Sequence, residues 1–539
     1  MKTMGRLLAL LLLAGAPAFS EQDLAPPVQG SLAGVVTHAK TGAPLKKAQV
    51  SLIPLGLSHG PNRTTETDDQ GRFVFRSLAP GRYRIGASRQ GFITSNYGAR
   101  KAGSAGTSVI VAEAQNVKDL AVPLMPQSVV TGTVLDEDGD PVANVMVRTM
   151  RYTYRNGTRQ WFPTTGSNTN DVGEFRISGL EPGKYLLATY SRSPGNDVVR
   201  TTSTDFDPDA PERIYAPTYY PSTLSASVAI PLDVGAGDEI RGMDIRLLKS
   251  NVYRVRGQVV GYQDSRAVSV MLASRDNAAG TQYMGVTRGP EFDFEIRHVM
   301  PGEYIVTAQS RTGNQLWIAS EPVMVSGANL DGVKLTLLET AEIHGVVKVV
   351  DASPVPDIKN MSVRLSAVGA LATGAVSARV RDDMQFTLAN VSPIRYNIFV
   401  SGFPTNCYVQ SLRYGGVEIP AEGAELRAGG TLEITLSAQA AQLDAVATIA
   451  DNRVGANAAF ALVPKGSGPV ITGTADDNGL ISFKGLKPGD YLFFAWEDAE
   501  EGAPLDPEFR KPFESLARSI TLAPSAHETI SFSVIPAAQ

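Results

Sequence analysis

The chain has 539 residues, 43% of them apolar and 19% charged, with a formal charge of −5. That is too long for one hydrophobic core, since domains usually run to about 50–200 residues, and too apolar for a disordered chain. No long run of like charge appears, so nothing points to nucleic acid as a partner.

The N-terminus reads as a leader. MKTMGRLLALLLLAGAPAFS opens with Lys2 and Arg6, continues with an apolar run over residues 7–13 and ends in Ala18-Phe19-Ser20. This pattern predicts a secretory signal peptide over residues 1–20, cut after Ser20. The run is short for a bilayer span, and no later stretch reaches the about 18 apolar residues of a membrane helix. No Cys follows it, which argues against a lipoprotein anchor. The expected product is exported, to the periplasm, the cell surface or the medium. Cys407 is the single cysteine, so no internal disulfide is expected and stability must come from packing.

After the leader one pattern recurs. The first copy is Phe73-x-Phe75-x-x-Leu78-x-Pro80-Gly81-x-Tyr83, and the second is Phe175-x-Ile177-x-x-Leu180-x-Pro182-Gly183-x-Tyr185. The third has Phe294, Ile296, Val299, Pro301, Gly302 and Tyr304 at the same spacing. A degraded fourth keeps Phe386, Leu388, Val391, Pro393 and Tyr396, with Ile394 where Gly should stand. The fifth has Ile481, Phe483, Leu486, Pro488, Gly489 and Tyr491. The tyrosines stand 102, 119, 92 and 95 residues apart. Each copy therefore belongs to a unit of whole-domain size, larger than a solenoid repeat of about 20–50 residues.

The pattern has a mechanical reading. Asp-x-Gly predicts a tight turn before the first, second and fifth copies. Phe-x-Phe alternates at period two, placing both side chains on one face of a strand. Pro-Gly predicts a second turn, with positive φ at the glycine. The Tyr opens the next strand, and its hydroxyl should bond nearby backbone, as in a tyrosine corner. Each unit begins with an apolar-x-Gly-x-Val strand: Leu32/Gly34/Val36, Val130/Gly132/Val134, Val255/Gly257/Val259 and Ile343/Gly345/Val347, with Leu443/Ala445/Ala447 as the fifth variant. Each ends with another strand, as over residues 117–124 or 333–338. Short alternating strands with regular turn signals predict an all-β fold of sandwiches.

These residues resemble carboxypeptidase regulatory-like domains. The resemblance rests on the Gly-x-Val opening and on the Asp-x-x-Gly-x-Phe-x-Phe-x-x-Leu-x-Pro-Gly-x-Tyr core. It implies transthyretin-like, Ig-like, seven-stranded Greek-key β-sandwiches, related to carbohydrate-binding-like folds. YAPTYYPSTLSASVAI and FAWEDAEEGAPLDPEFRKPFE are similar to segments of secreted multi-repeat proteins of acidobacterial type. The expected organisation is a tandem array of about five sandwiches, at residues 28–127, 128–250, 251–339, 340–438 and 439–539, the second with aromatic insertions and the fourth degenerate. In metallocarboxypeptidases such a domain accompanies a zinc-binding catalytic domain, for which the five units leave no room.

No motif carries catalytic chemistry. His38, His59, His298, His344 and His527 are scattered, and none starts a zinc-binding helix pair. Gly56-Leu57-Ser58-His59-Gly60 spells a nucleophile elbow, but Pro61 and a polar loop follow where a helix is required. Asp136-Glu137-Asp138-Gly139-Asp140 has the carboxylates of a calcium loop without its closing Glu, and reads as a solvated turn. No metal or cofactor is expected, and the chain reads as a non-enzyme.

The candidate binding residues lie in the two insertions of the second unit. RYTYRNGTRQWFPTTGSN carries Tyr152, Tyr154, Trp161 and Phe162, and DFDPDAPERIYAPTYYPST carries Tyr215, Tyr219 and Tyr220. Rings interleaved with Arg, Asn and Gln suit a sugar- or peptide-binding loop, whereas packing of the loop on its own or a neighbouring domain is the competing reading. The sequence thus points to a secreted, non-catalytic rod or chain of sandwiches serving binding, adhesion or scaffolding. Polysaccharide or a cell-surface or extracellular protein would be the partner. A specific carbohydrate-binding protein is the first alternative, and an accessory to a peptidase or other extracellular enzyme the second.

Overall fold

The structure is a computed structural model. It describes residues 29–536, apart from 57–59, 100, 102–103, 105, 156, 191–211, 262–267, 276–281, 288–290, 313–314, 369–375 and 450–453. The leader, Ser58 and His59 lie outside the described residues. The fold is all-β: sheets face each other in pairs across apolar cores, and helical turns are short, as at Pro507–Arg510. No helix among the described residues is long and apolar enough to cross a membrane.

One strand frame recurs along the chain. In its first occurrence the opening strand Gly30–His38 lies between the motif strand Arg72–Leu78, antiparallel to it, and the closing strand Asn116–Pro126, parallel to it. The facing sheet is built on Gln49–Leu55 paired with Gly81–Ser88. The same antiparallel-plus-parallel arrangement surrounds the opening strands Ser128–Leu135, Lys249–Val260, Ala341–Val350 and Ala441–Thr448. Two-residue strands such as Phe92–Ile93 and Ser95–Asn96 take the first occurrence beyond the seven strands expected. Among the described residues, five large cores accompany the frames, each drawn from one stretch of chain and each including an opening-strand residue: Leu32, Val130, Val255, Ile343 or Leu443.

Register explains the glycine of the opening strand. Gly34 pairs with Phe73, Gly132 with Phe175, Gly257 with Phe294 and Gly345 with Phe386. Over Gly34, Gly257 and Gly345 the ring occupies the place of a side chain, whereas at Gly132 the Met243 backbone comes nearest. A Cβ on Gly345 would lie 2.0 Å from Phe386 Cζ. The fifth frame replaces both partners together, with Ala445 opposite Ile481. A methyl fits there because the ring is gone, so the fifth unit's departure from the glycine pattern is a paired change.

The turns follow the sequence reading with two corrections. The turn-forming side chain is the residue three before the glycine. Asp68 Oδ1 accepts from the amides of Gln70 (3.0 Å) and Arg72 (2.8 Å), and Asp476 Oδ1 from those of Asn478 and Leu480 (2.8 Å each). In the second copy Asn170 fills this role. Gly489 has φ of 148° rather than the roughly +80° of a type II turn, and the motif glycine is the first residue of the next strand, as in Gly81–Ser88 and Gly489–Trp496. The tyrosine behaves as expected. Tyr83, Tyr185, Tyr304 and Tyr491 donate to the carbonyls of Ala79, Glu181, Met300 and Lys487 at 2.7, 3.0, 2.9 and 2.6 Å. In the degraded copy the bond reverses, and the Tyr396 hydroxyl accepts from the Ser392 amide at 3.2 Å.

The frames also touch end to end and beyond. Thr340 joins the third to the fourth by bonding the Leu316 carbonyl at 2.9 Å, and the Ala440 amide joins the fourth to the fifth at the Asn406 carbonyl, 3.1 Å away. The fifth frame then returns to the first. Asn457 Nδ2 donates to the Gly106 carbonyl at 3.0 Å, and Lys101 Nζ lies 2.6 Å from Asp498. The rod or chain expected from the sequence thus has its fifth frame in contact with its first, through an amide hydrogen bond and an ion pair.

The ring-over-glycine contact predicts a double-mutant result. Gly345→Ala should overpack the Phe386 ring and cost about 1–3 kcal/mol. Combined with Phe386→Ile it should cost clearly less than the sum of the two single changes, as urea unfolding of the full chain can measure. Strictly additive costs would count against the contact.

Candidate functional site

The first insertion of the second frame is a long hairpin. Met146–Arg155 pairs with Thr158–Asn168, and Gly157 at the tip has φ of 76°. Cross-strand partners share a face. Tyr152 pairs with Trp161 and Tyr154 with Arg159, so these four form one ladder. The Tyr152 and Trp161 rings lie 4.8 Å apart at 40°, and Tyr152 is 37% exposed. The Arg159 guanidinium sits 4.7 Å from the Tyr152 ring centre and 5.2 Å from that of Tyr154. Phe162 pairs with Arg151 on the opposite face and is half-buried. There Arg151 binds Glu181 at 2.7 Å.

Each predicted residue has a distinct place. Trp161 backs onto a small core of Met150, Leu186, Ala188 and Tyr219. Tyr219 is 4% exposed and offers no open ring face. Tyr220 is half-buried against the core around Val130. Tyr154 meets Phe509 of the fifth frame edge to face at 6.1 Å. Tyr215 lies apart from the ladder. Its strand, Glu212–Tyr215, pairs with Lys249–Val260 and so extends the sheet of the third frame. This part of the second insertion joins the next sheet at residues 249–252, the start of the opening strand, which neither the motif strand nor the closing strand pairs. The residues before it, 205–211, lie outside the described residues.

Two charge clusters fix that junction. The Tyr215 hydroxyl donates to Glu137 at 2.7 Å, and Lys249 binds the same carboxylate while its Nζ lies 4.9 Å over the Tyr215 ring. The bonds from Lys249, first, and Tyr215 hold the Glu137 carboxyl at about 2. On the other side Arg254, with a side chain 9% exposed, binds Glu212 at 3.0 Å and Glu295 at 3.2 Å, and His298 lies 2.8 Å from Glu212. Burial pushes the Glu295 carboxyl up, but bonds from Arg297 and Arg256 and the charge of Arg254 outweigh it and leave the group below its usual range. That is the reverse of what a general acid needs. Glu295, Arg256, Arg297 and His298 line a cleft of 1640 Å³ on the third frame.

The other candidates serve local structure. Asp136 Oδ1 accepts from the amides of Asp138 (3.0 Å) and Asp140 (2.9 Å), a turn rather than a ligand set. No group of three potential metal ligands occurs among the described residues. His38 Nδ1 accepts from the Lys40 and Thr41 amides at 3.2 and 3.3 Å, and His527 binds Asp444 at 2.8 Å. Cys407 is fully buried and burial raises its thiol, so it behaves as a small core residue. The sequence missed the clusters around Glu137 and Arg254. The sequence carried no local signal for either, since Glu212-Arg213-Ile214-Tyr215 does not alternate.

The depressed Glu137 value sets a pH window. A carboxyl lowered on folding from 4.5 to about 2 contributes stability that is present above pH 4.5 and lost as pH falls through 2. Carbon-detected NMR titration should find Glu137 still ionised at pH 3, and Tyr215→Phe should move its midpoint upward. A wild-type midpoint near 4.5 would contradict the geometry.

No curated protein matches the chain. Among solved structures, the minor pilin of Streptococcus agalactiae is 14% identical over 40% of this chain and 95% of its own, with a TM-score of 0.23. The major pilin subunit of Bacillus cereus is 12% identical over 76% of this chain and 99% of its own, with a TM-score of 0.15. The shaft pilin of Lactobacillus rhamnosus GG is 12% identical over 42% of this chain and 98% of its own, with a TM-score of 0.21. Residues 31–123, which hold most of the first frame, match the carboxypeptidase regulatory-like domain.

Proposed function

We propose that this is an exported, non-catalytic protein of five β-sandwiches that serves as a binding, adhesion or scaffold module at the cell surface or outside the cell. The division follows residues 28–127, 128–250, 251–339, 340–438 and 439–539, behind a leader over residues 1–20. One observation carries the reading. The repeated motif spends its special residues on architecture: rings on the strand glycine, Asp and Asn on turns, and tyrosine hydroxyls on backbone carbonyls. Such frames are rigid supports, and function on them resides in what the loops add. A regulatory-like domain match at residues 31–123 supports the same reading. The partner is a polysaccharide or a surface protein.

A specific observation favours carbohydrate as that partner. Tyr152 and Trp161 form a tilted pair with Tyr152 part exposed, flanked by Arg159. An apolar ring surface with polar groups at its edge is what a sugar ring needs. Tyr219 belongs to the supporting core in this reading and Tyr215 to the junction.

Pull-down of the mature chain on insoluble polysaccharides tests it. Binding to at least one glycan is expected, with a loss of tenfold or more in Tyr152→Ala/Trp161→Ala. Wild-type protein that binds none of the panel, or a variant that binds as well as the wild type, would remove the sugar reading and leave a protein-binding or structural role.

A further inference from the structure

The aromatic ladder of the second frame is not free along its whole length. Its outer end is covered by the segment of the fifth frame between residues 498 and 510. Tyr154 meets Phe509, and Arg159 lies 3.7 Å from Glu500. The backbones approach closely: a Cβ on Gly157 would lie 3.1 Å from Leu505 Cβ, and one on Gly502 would lie 3.2 Å from Tyr154 Cβ. Beside this contact the same frame meets the first. Lys101 lies 2.6 Å from Asp498, Arg82 lies 3.9 Å from Asp477, and the Ser108 amide and hydroxyl both donate to Asp477. The charges segregate: Arg82, Lys101 and Arg159 on the first two frames, and Asp477, Asp498 and Glu500 on the fifth.

We propose that these contacts form a reversible electrostatic clasp. It closes the chain of sandwiches into a ring and, when it opens, uncovers the Tyr152–Tyr154–Arg159 face of the hairpin. The charged side chains of the clasp are 26–60% exposed, so each ion pair is weak and screened by salt. Closure is nonetheless favoured because the partners are tethered by the same chain, which makes their meeting intramolecular. Weak contacts and a high effective concentration together give a joint that is closed at low salt yet able to open. A joint held by buried apolar area would lack that salt response. The inference concerns the chain's conformation and stands whether or not the ladder binds sugar.

Small-angle scattering of the full chain tests it. For sandwiches of about 100 residues, each with a radius of gyration of about 13 Å, opening a five-member ring into a line raises the overall radius about 1.5-fold. A compact particle is expected in 20 mM salt, with a clear increase in 1 M salt, where the screening length falls to about 3 Å. Lys101→Glu/Arg159→Glu should be expanded already at low salt. Adding Asp498→Lys/Glu500→Lys should restore the compact form. Unchanged far-ultraviolet circular dichroism separates opening from unfolding. A radius independent of salt and of the charge reversal would overturn the proposal. So would a four-residue swap that stays expanded, or a doubled mass at low salt, which would put the contacts between copies.

Discussion

The contact on which the sandwiches depend is an aromatic ring laid over a strand glycine. It fixes the pairing of opening strand and motif strand, because the ring fits only where the opposing residue has no side chain. A one-residue slip would set Phe73 against Val35 or Ala33 and turn each strand's apolar set outward. Over Gly34, Gly257 and Gly345 the ring also takes the space that a side chain would occupy. In the first and third frames the closing strand adds its own constraint, with the Leu120 and Val333 carbonyls passing 2.1 and 2.0 Å from where a glycine Cβ would stand. In both, the register of the parallel pair shifts beside the glycine. The fourth and fifth frames have no such shift in that pairing, and the fifth is the one in which alanine takes the position.

A second device follows the ring along the same strand. Ser77, Gly179, His298, Asn390 and Gly485 occupy the same motif position, and all have positive φ, between 58° and 83°. Each sits at a bulge in the pairing with the opening strand, as between Gly30–Leu78 and Leu32–Phe75. The bulge turns the following Leu or Val back into the core after two residues where simple alternation would point it outward. Leu78 and Val299 are 3% and 0% exposed in consequence. The tyrosine hydroxyl then clamps the bend to the carbonyl four residues upstream. Bulge, ring and hydroxyl together make a frame that tolerates long additions elsewhere, such as the hairpin of the second frame and the helical turns of the fifth.

The junctions obey different physics. Arg254 is nearly buried, and an unpaired buried guanidinium would be strongly destabilising. Two carboxylates from different elements, Glu212 and Glu295, compensate it. Glu212 arrives on a strand that the second insertion lends to the next sheet, so the junction between those frames combines a backbone ladder with a charge network around one nearly buried arginine. The contacts of the fifth frame with the first two combine part-exposed ion pairs with the edge-to-face pair of Tyr154 and Phe509. One joint is thus built to hold its geometry, and the other rests on forces that solvent weakens.

By itself the sequence determined the all-β class, the repetition, the face of each strand and the tyrosine's bond, because these follow from period-two alternation and from residues adjacent in the chain. The positive-φ position was legible only in part. Gly and Asn there are ordinary signals, whereas Ser77 and His298 are not, and the bulge emerges only once both strands are paired. Of the candidate binding residues, the sequence set Tyr152, Tyr154 and Trp161, which share one face of a hairpin, beside Tyr219, which is core, and Tyr215, which belongs to a junction. Only the tertiary structure decided those roles and the return of the fifth frame to the first. Ser108 and Asp477 are 369 residues apart, and no local pattern encodes which exposed acid of one frame will meet which exposed base of another.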